Sequence, residues 1–176
     1  APNTNPNLFR VANVIKCLAS STIEDIRHPL LLNETLQASG ADIVFHLAAQ
    51  PLVRYSYESP VETYSVNVMG TVNLFEAIRK TGTVKAVVNV TTDKCYDNHG
   101  GDLPYREDEA MGGFDPYSSS KGCSELVTSS YRQSFFAEKG IALASARAGN
   151  VIGGGDWSVD RLIPDFLQAL DKKEEL

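Results

Sequence analysis

Two kinds of segment alternate along the chain. The first is short, apolar and rich in β-branched residues: residues 14–18, 43–47, 84–91 (VKAVVNVT) and 141–146 (IALASA). These runs are too short for buried helices and too continuously apolar for half-exposed strands. They predict central strands of a parallel sheet. The second kind is longer and amphipathic. Residues 29–39 predict a helix stopped by Gly40. Residues 60–80 are the clearest case. Pro60 suits a first helical turn, Val61, Tyr64, Val68, Val72 and Phe75 recur at three- and four-residue steps, and Gly82 follows the end. Residues 116–139 predict another helix, with Asp115 as N-cap, Pro116 at the first position and Gly140 as the stop. Residues 161–173 predict the last.

Strand and helix in alternation imply βαβ units, right-handed crossovers and a doubly wound α/β fold with a parallel sheet. No repeat, low-complexity tract or linker interrupts it. A Gly- and Asp-rich stretch, residues 97–113, follows a predicted strand end, where such folds place their sites. A dinucleotide fold should open with a strand and a G-x-G-x-x-G turn, and this chain contains none. Its first residues, APNTNPN, read like a loop interior, and KKEEL stops just past a helix. The sequence therefore reads as a fragment lacking the first βαβ unit and the C-terminal substrate region.

Composition narrows the function. The 176 residues, 43% of them hydrophobic, suffice for one domain that needs no disulfide or metal to fold. A net charge of −6 argues against nucleic-acid and membrane-surface partners. No apolar run approaches the roughly 18–20 residues of a membrane span. Cys17, Cys95 and Cys123 are odd in number and far apart, as expected of reduced thiols in a cytoplasmic protein. His28, His46 and His99 form no metal-binding pattern, so no metal is expected.

Several short stretches could carry chemistry. Tyr117 and Lys121 are four apart on a predicted helix and share a face. An ammonium beside a phenol stabilises the phenolate and makes it a general base. The same spacing also fits an exposed tyrosine above a solvated lysine. Thr91-Thr92-Asp93-Lys94 ends a predicted strand with a hydroxyl, a carboxylate and an amine together, or forms an ordinary turn. Small residues in Leu47-Ala48-Ala49-Gln50 would let a flat ligand approach, or simply pack closely. Asn67 and Gly70 lower helix propensity inside residues 60–80, so a side-chain hydrogen bond or a close helix contact is expected there. Gly153-Gly154-Gly155 is no P-loop, yet its backbone could meet a phosphate with Arg161 adding charge. A mobile glycine loop with a surface arginine fits equally. Glu107-Asp108-Glu109 reads as a solvated face.

Taken in order, six stretches resemble the extended short-chain dehydrogenase/reductase superfamily. They are HLAAQPLVRYSY (46–57), NVMGTVNL (67–74), VTTDKCYDN (90–98), DPYSSSKGCSELV (115–127), ARAGNVIGGGDW (146–157) and RLIPD (161–165). That superfamily includes nucleotide-sugar epimerases and 4,6-dehydratases, and the likeness runs to the CDP-glucose 4,6-dehydratases. The resemblance implies a partial Rossmann-type NAD-binding domain over residues 1–176, with 149–176 leading into a sugar-nucleotide region. It implies that Tyr117 takes the O4 proton while NAD takes the C4 hydride. Lys121 would hold the nicotinamide ribose and depress the Tyr117 pKa, and Thr92 would hydrogen-bond O4. Asp93 would protonate the departing C6 hydroxyl. Lys94 stands where related dehydratases carry a glutamate as C5 base, and a lysine can do this only when neutral. Asp25 and Ile26 would contact adenine, and Leu47, Ala48, Ala49, Gln50 and Asn67 would line the cofactor. Asn150 and Arg161 would contact substrate. CDP-glucose is the implied substrate, O-antigen dideoxysugar synthesis the implied setting, and a homo-oligomer, dimer or tetramer, the implied assembly. Without a glycine-rich turn this piece alone should bind NAD poorly. A nucleotide-sugar 4-epimerase would use Tyr117 and Lys121 without the Asp93-Lys94 pair. A non-catalytic nucleotide-binding homologue is the remaining alternative.

Overall fold

The strands form where the apolar runs predict them, with one exception. The computed structural model describes residues 4–101 and 103–175. In chain order the elements are α1 (Leu8–Val11), a 3₁₀ turn (Val14–Cys17), α2 (Pro29–Ser39), β1 (Ile43–His46), α3 (Val53–Glu58) and α4 (Pro60–Tyr64). A π-turn (Ser65–Met69), α5 (Gly70–Thr81), β2 (Ala86–Thr92), a second 3₁₀ turn (Asp93–Cys95) and α6 (Pro116–Tyr131) follow. A second π-turn (Arg132–Phe136), β3 (Ala142–Ala148) and α7 (Leu162–Lys172) complete the chain. They fall into two units, Glu24–Gly149 and the segments on either side of it.

The exception is residues 14–18, a predicted strand that is a 3₁₀ turn. Asn13 enters it in the left-handed region, at φ 51°, and Ile15 and Leu18 are 50% and 42% exposed. An apolar run becomes a strand only where a ladder partner and a buried face exist, and among the described residues this run has neither. Helix α3 follows the Leu47–Gln50 stretch read as cofactor lining and is an element the periodicity did not predict. The helix predicted over 60–80 is one rod interrupted by the first π-turn, and the one over 116–139 carries the second.

Strands β1, β2 and β3 form a parallel sheet in that order, with Phe45 opposite Val88 and Val88 opposite Ala144. Helices α2, α5 and α6 cover one face. Their shared core holds Leu36, Leu74, Phe75, Ile78, Val87, Phe136, Ile141 and Leu143. On that face each strand changes character along its length. β2 presents Val87, then Asn89, then Thr91, while β3 presents Leu143, Ser145 and Arg147, and β1 presents Val44 and His46. The N-terminal ends of the strands are thus aliphatic and the C-terminal ends polar and charged. On the opposite face Ile43 and Phe45 are 55% and 64% exposed.

The second unit contains α1, the first 3₁₀ turn and α7. Gly155, at φ 89°, lies so close to Leu8 that a Cβ would stand 2.7 Å from the leucine Cδ1. Only glycine fits that contact in that conformation.

Candidate active site

The polar strand ends and the first turns of α6 meet at one edge of the Glu24–Gly149 unit. Asp115 caps α6 as predicted, accepting from Ser118 N at 2.9 Å and from the Ser118 hydroxyl at 2.6 Å. That cap fixes where α6 begins and therefore where Tyr117 and Lys121 lie. Both are buried, Lys121 being only 7% exposed. The Lys121 ammonium donates to the Val90 carbonyl at 3.2 Å. Burial pulls its pKa down to about 8, with the negative charge of Glu125 opposing the fall. The solvated-lysine alternative is thereby excluded.

β2 brings Thr92 to the same edge. Its hydroxyl donates to the Asp93 carboxylate at 3.1 Å and accepts from Lys94 N at 3.3 Å, starting the Asp93–Cys95 turn. Thr92 is buried, whereas Asp93 and Lys94 are exposed. The turn lies against α6 next to Lys121. A Cβ on Gly122 would stand 3.5 Å from the Cys95 carbonyl and 2.9 Å from that of Gly112. Gly149 at the end of β3 places its Cβ position 3.6 Å from the Asp93 carboxylate. Thr92, Asp93, Lys94, Tyr117 and Lys121 are therefore brought to one edge.

At the end of β1, Leu47 and Ala48 are exposed, whereas Gln50 and Asn67 are committed to the frame. Asn67 accepts from Gln50 N at 2.8 Å and donates to the Gln50 carbonyl at 3.1 Å and the Ser120 hydroxyl at 2.8 Å. Gln50 in turn donates to Thr63 at 2.9 Å and accepts from Leu52 N at 2.6 Å. This is the hydrogen-bond reason for an asparagine in mid-helix. Gly70 has the packing reason, because a Cβ there would lie 2.6 Å from Ile26 Cγ2. Asp25 is engaged by Arg27 at 2.5 Å, and that guanidinium holds its carboxyl down at about 2.

Beneath these residues runs a directional chain of hydrogen bonds. The Asn89 amide donates to Ser124 at 2.9 Å and Thr128 at 2.8 Å. Ser124 meets Thr71 at 3.2 Å, and Thr71 donates to the Asn67 carbonyl at 2.8 Å. His46 Nε2 lies 3.0 Å from Thr71. With the Thr71 proton given to Asn67, the imidazole must be the donor, so Nε2 carries hydrogen. Burial, reinforced by the Lys121 charge, drives the His46 pKa down to about 4.

Sequence reading missed Glu125 and did not pair it with Arg147. Glu125 is 4% exposed and accepts from Thr91, from Ser145 at 2.7 Å and from Arg147 at 3.2 Å. The available signal was its position one turn beyond Lys121. Asn150 and Arg161 belong to the second unit. There they line a cavity of about 480 Å³ with Trp157 and Gly153–Gly155. The Arg161 Nε is buried and has no partner among the described residues.

Among the described residues no cluster of His, Cys, Asp and Glu could hold a metal, and no helix is long and apolar enough to cross a membrane. The edge fits a dinucleotide. Small residues follow β1, and the buried Lys121 ammonium keeps donors beyond the one given to Val90. This is also the end of a parallel sheet at which such ligands bind.

Comparisons with known proteins agree. The chain is 54% identical to a CDP-glucose 4,6-dehydratase of Salmonella typhimurium, over 98% of this chain and 49% of that protein. It is similar to the crystal structure of a dTDP-glucose 4,6-dehydratase from Streptomyces venezuelae with NAD bound, at a TM-score of 0.81 and 28% identity, covering 94% of this chain and 50% of the other. A UDP-glucose 4-epimerase from Brucella ovis in complex with NAD matches at a TM-score of 0.60 and 31% identity, over 65% of this chain and 34% of that one. The chain spans about half the length of the Salmonella typhimurium protein. The profile described as GDP-mannose 4,6 dehydratase matches residues 10–175, and with the parallel sheet and its polar edge this shows that the chain belongs to that family.

Proposed function

We propose that the chain carries the cofactor-side catalytic half of a sugar-nucleotide 4,6-dehydratase acting on CDP-glucose. One observation carries the reading: Lys121 is buried one turn beyond Tyr117, and Thr92 and Asp93 come to the same edge. The 54% identity to a CDP-glucose 4,6-dehydratase supports the choice of substrate.

NAD, when bound, supplies a hydride acceptor at C4 and the hydride returned at C6. The chain's own residues do the rest. Tyr117 takes the O4 proton as the C4–H bond breaks, and Lys121 stabilises the phenolate and holds the nicotinamide ribose hydroxyls. Thr92 donates to O4. A C4 ketone acidifies the C5 proton, for which Lys94 is the base. Asp93 protonates the C6 hydroxyl as it leaves as water. Leu47, Ala48, Ala49, Gln50 and Asn67 would line the cofactor, and Asp25 and Ile26 would contact its adenine. Asn150 and Arg161 take the sugar-nucleotide, the unpartnered Arg161 Nε suiting a diphosphate oxygen. The enzyme works in the cytoplasm as a homo-oligomer, dimer or tetramer, and pairing would cover Met69 and Leu126, which are 51% and 61% exposed.

The test uses the full-length protein with CDP-glucose and NAD. A product lighter by one water, with the alkaline ultraviolet absorbance of a 4-keto-6-deoxy sugar, is expected. Asp93→Asn should slow water loss by about 100-fold or more. Epimerisation at C4 without water loss would replace the dehydratase by an epimerase, and binding without turnover would leave a nucleotide-binding homologue.

A further inference from the structure

The most heavily bonded buried charge in the Glu24–Gly149 unit belongs to a residue that the proposed reaction does not use. Glu125 receives Thr91 from β2 and both Ser145 and Arg147 from β3, so one carboxylate joins two strand ends to α6. Arg147 carries the connection outward. Its guanidinium donates to the Tyr96 hydroxyl at 2.8 Å and the Glu107 carbonyl at 3.0 Å, and lies 4.8 Å from the Tyr96 ring centroid. Tyr96 stacks on Tyr105 at 4.8 Å. The segment carrying Asp93 and Lys94 is thus fastened to the same pair that fixes Thr91, the neighbour of Thr92. On the other side, Glu125 is one helical turn from Lys121.

We propose that Glu125, paired with Arg147, is a positioning residue of the site: it holds the ends of β2 and β3 on α6 and supplies the negative charge that faces the buried Lys121 ammonium. Its catalytic consequence rests on the dehydratase reading above, while its electrostatic consequence does not. Charge couples Lys121 to Glu125 on α6 and to His46 on β1, with Tyr117 one turn before it on α6 and Arg147 on β3 acting through Glu125. A buried pair that served only to hold the fold would stabilise the chain without tuning any of them.

Two variants of the full-length protein separate these cases. Glu125→Gln keeps the shape and removes the charge. Arg147→Met removes the partner and leaves the carboxylate facing Lys121 alone. The Lys121 titration is followed by NMR in lysine-labelled protein, assigned with Lys121→Arg, and requires no substrate. The expected shifts have opposite signs. Glu125→Gln moves the midpoint down by about tenfold in the acid constant, and Arg147→Met moves it up. With CDP-glucose, both should lower kcat by about 10- to 100-fold while KM changes less than about threefold, as misplaced reacting groups do. An unmoved Lys121 midpoint in both variants, with only a lower melting temperature, would overturn the proposal. If the wild type releases no water from CDP-glucose, the dehydratase reading fails by itself. The titration then still decides, since opposite shifts uphold the positioning role and their absence removes it.

Discussion

The two ends of the interface between the sheet and its covering helices are built from different materials. At the N-terminal ends of the strands, Val87 and Leu143 meet Phe75, Ile78 and Phe136, whose side chains carry no polar atom. Phe75 and Phe136 pack edge-on at 5.8 Å, and both rings are fully buried. At the C-terminal ends the same faces of the same strands and helices carry Asn89, Thr91, His46 and Glu125, each with named partners. Aliphatic packing is strong but weakly directional. A hydrogen-bond chain adds less net stability and fixes each donor against one acceptor. The apolar end therefore holds the layers together, and the polar end sets the angle and register at which the reactive groups are presented.

That division can be broken at either end. The largest loss of stability is expected at the apolar end. Phe75→Ala removes a fully buried ring and should cost about 4 kcal/mol in chemical denaturation, leaving the residual activity of folded protein near normal. A loss below about 1 kcal/mol would show that the aromatic end does not carry the layer. Next comes pH. His46 has a folded pKa of about 4 against 6.5 when unfolded. A depressed histidine pKa means that the unfolded chain binds the proton first. Its contribution is complete above pH 6.5 and is lost as the pH falls towards 4, about 3 kcal/mol in all. Denaturation midpoints across that window should show the slope, and His46→Gln should flatten it. The smallest effect is Asn89→Ala, which leaves the Ser124 and Thr128 oxygens without their donor and should cost about 2 kcal/mol. Unlike Phe75→Ala, it should also blur the site, seen as a lower kcat in the protein that remains folded.

The apolar end was the legible one. Its periodicity located the helices at 29–39, 60–80 and 116–139, and Asp115 marked the start of the last, which ends at Phe136, four residues before Gly140. The Tyr117–Lys121 spacing and the Thr92-Asp93 strand end were legible because each lies within one local element. What stayed hidden depends on partners distant in sequence. The run 14–18 has strand chemistry, but no ladder partner for it exists among the described residues. Asn67 and Gly70 announced that something was needed inside a helix. Only the fold shows that Gln50 and Ser120 meet one and Ile26 the other. Glu125 resembles any charged helix residue until β3 brings Arg147 to it.

The parallel ladder also imposes an order in time. Ile43 pairs with Ala86, and Ala86 pairs with Ala142, so each step of the sheet waits for a whole crossover to be made. Pairings so distant in sequence close slowly and only after the loop entropy has been overcome. During synthesis, β1 and β2 can join beneath α5 long before β3 leaves the ribosome. Until it does, the Glu125 carboxylate has neither Ser145 nor Arg147 and must stay hydrated. The charged end of the interface is therefore completed last, when β3 brings Ser145 and Arg147 to Glu125.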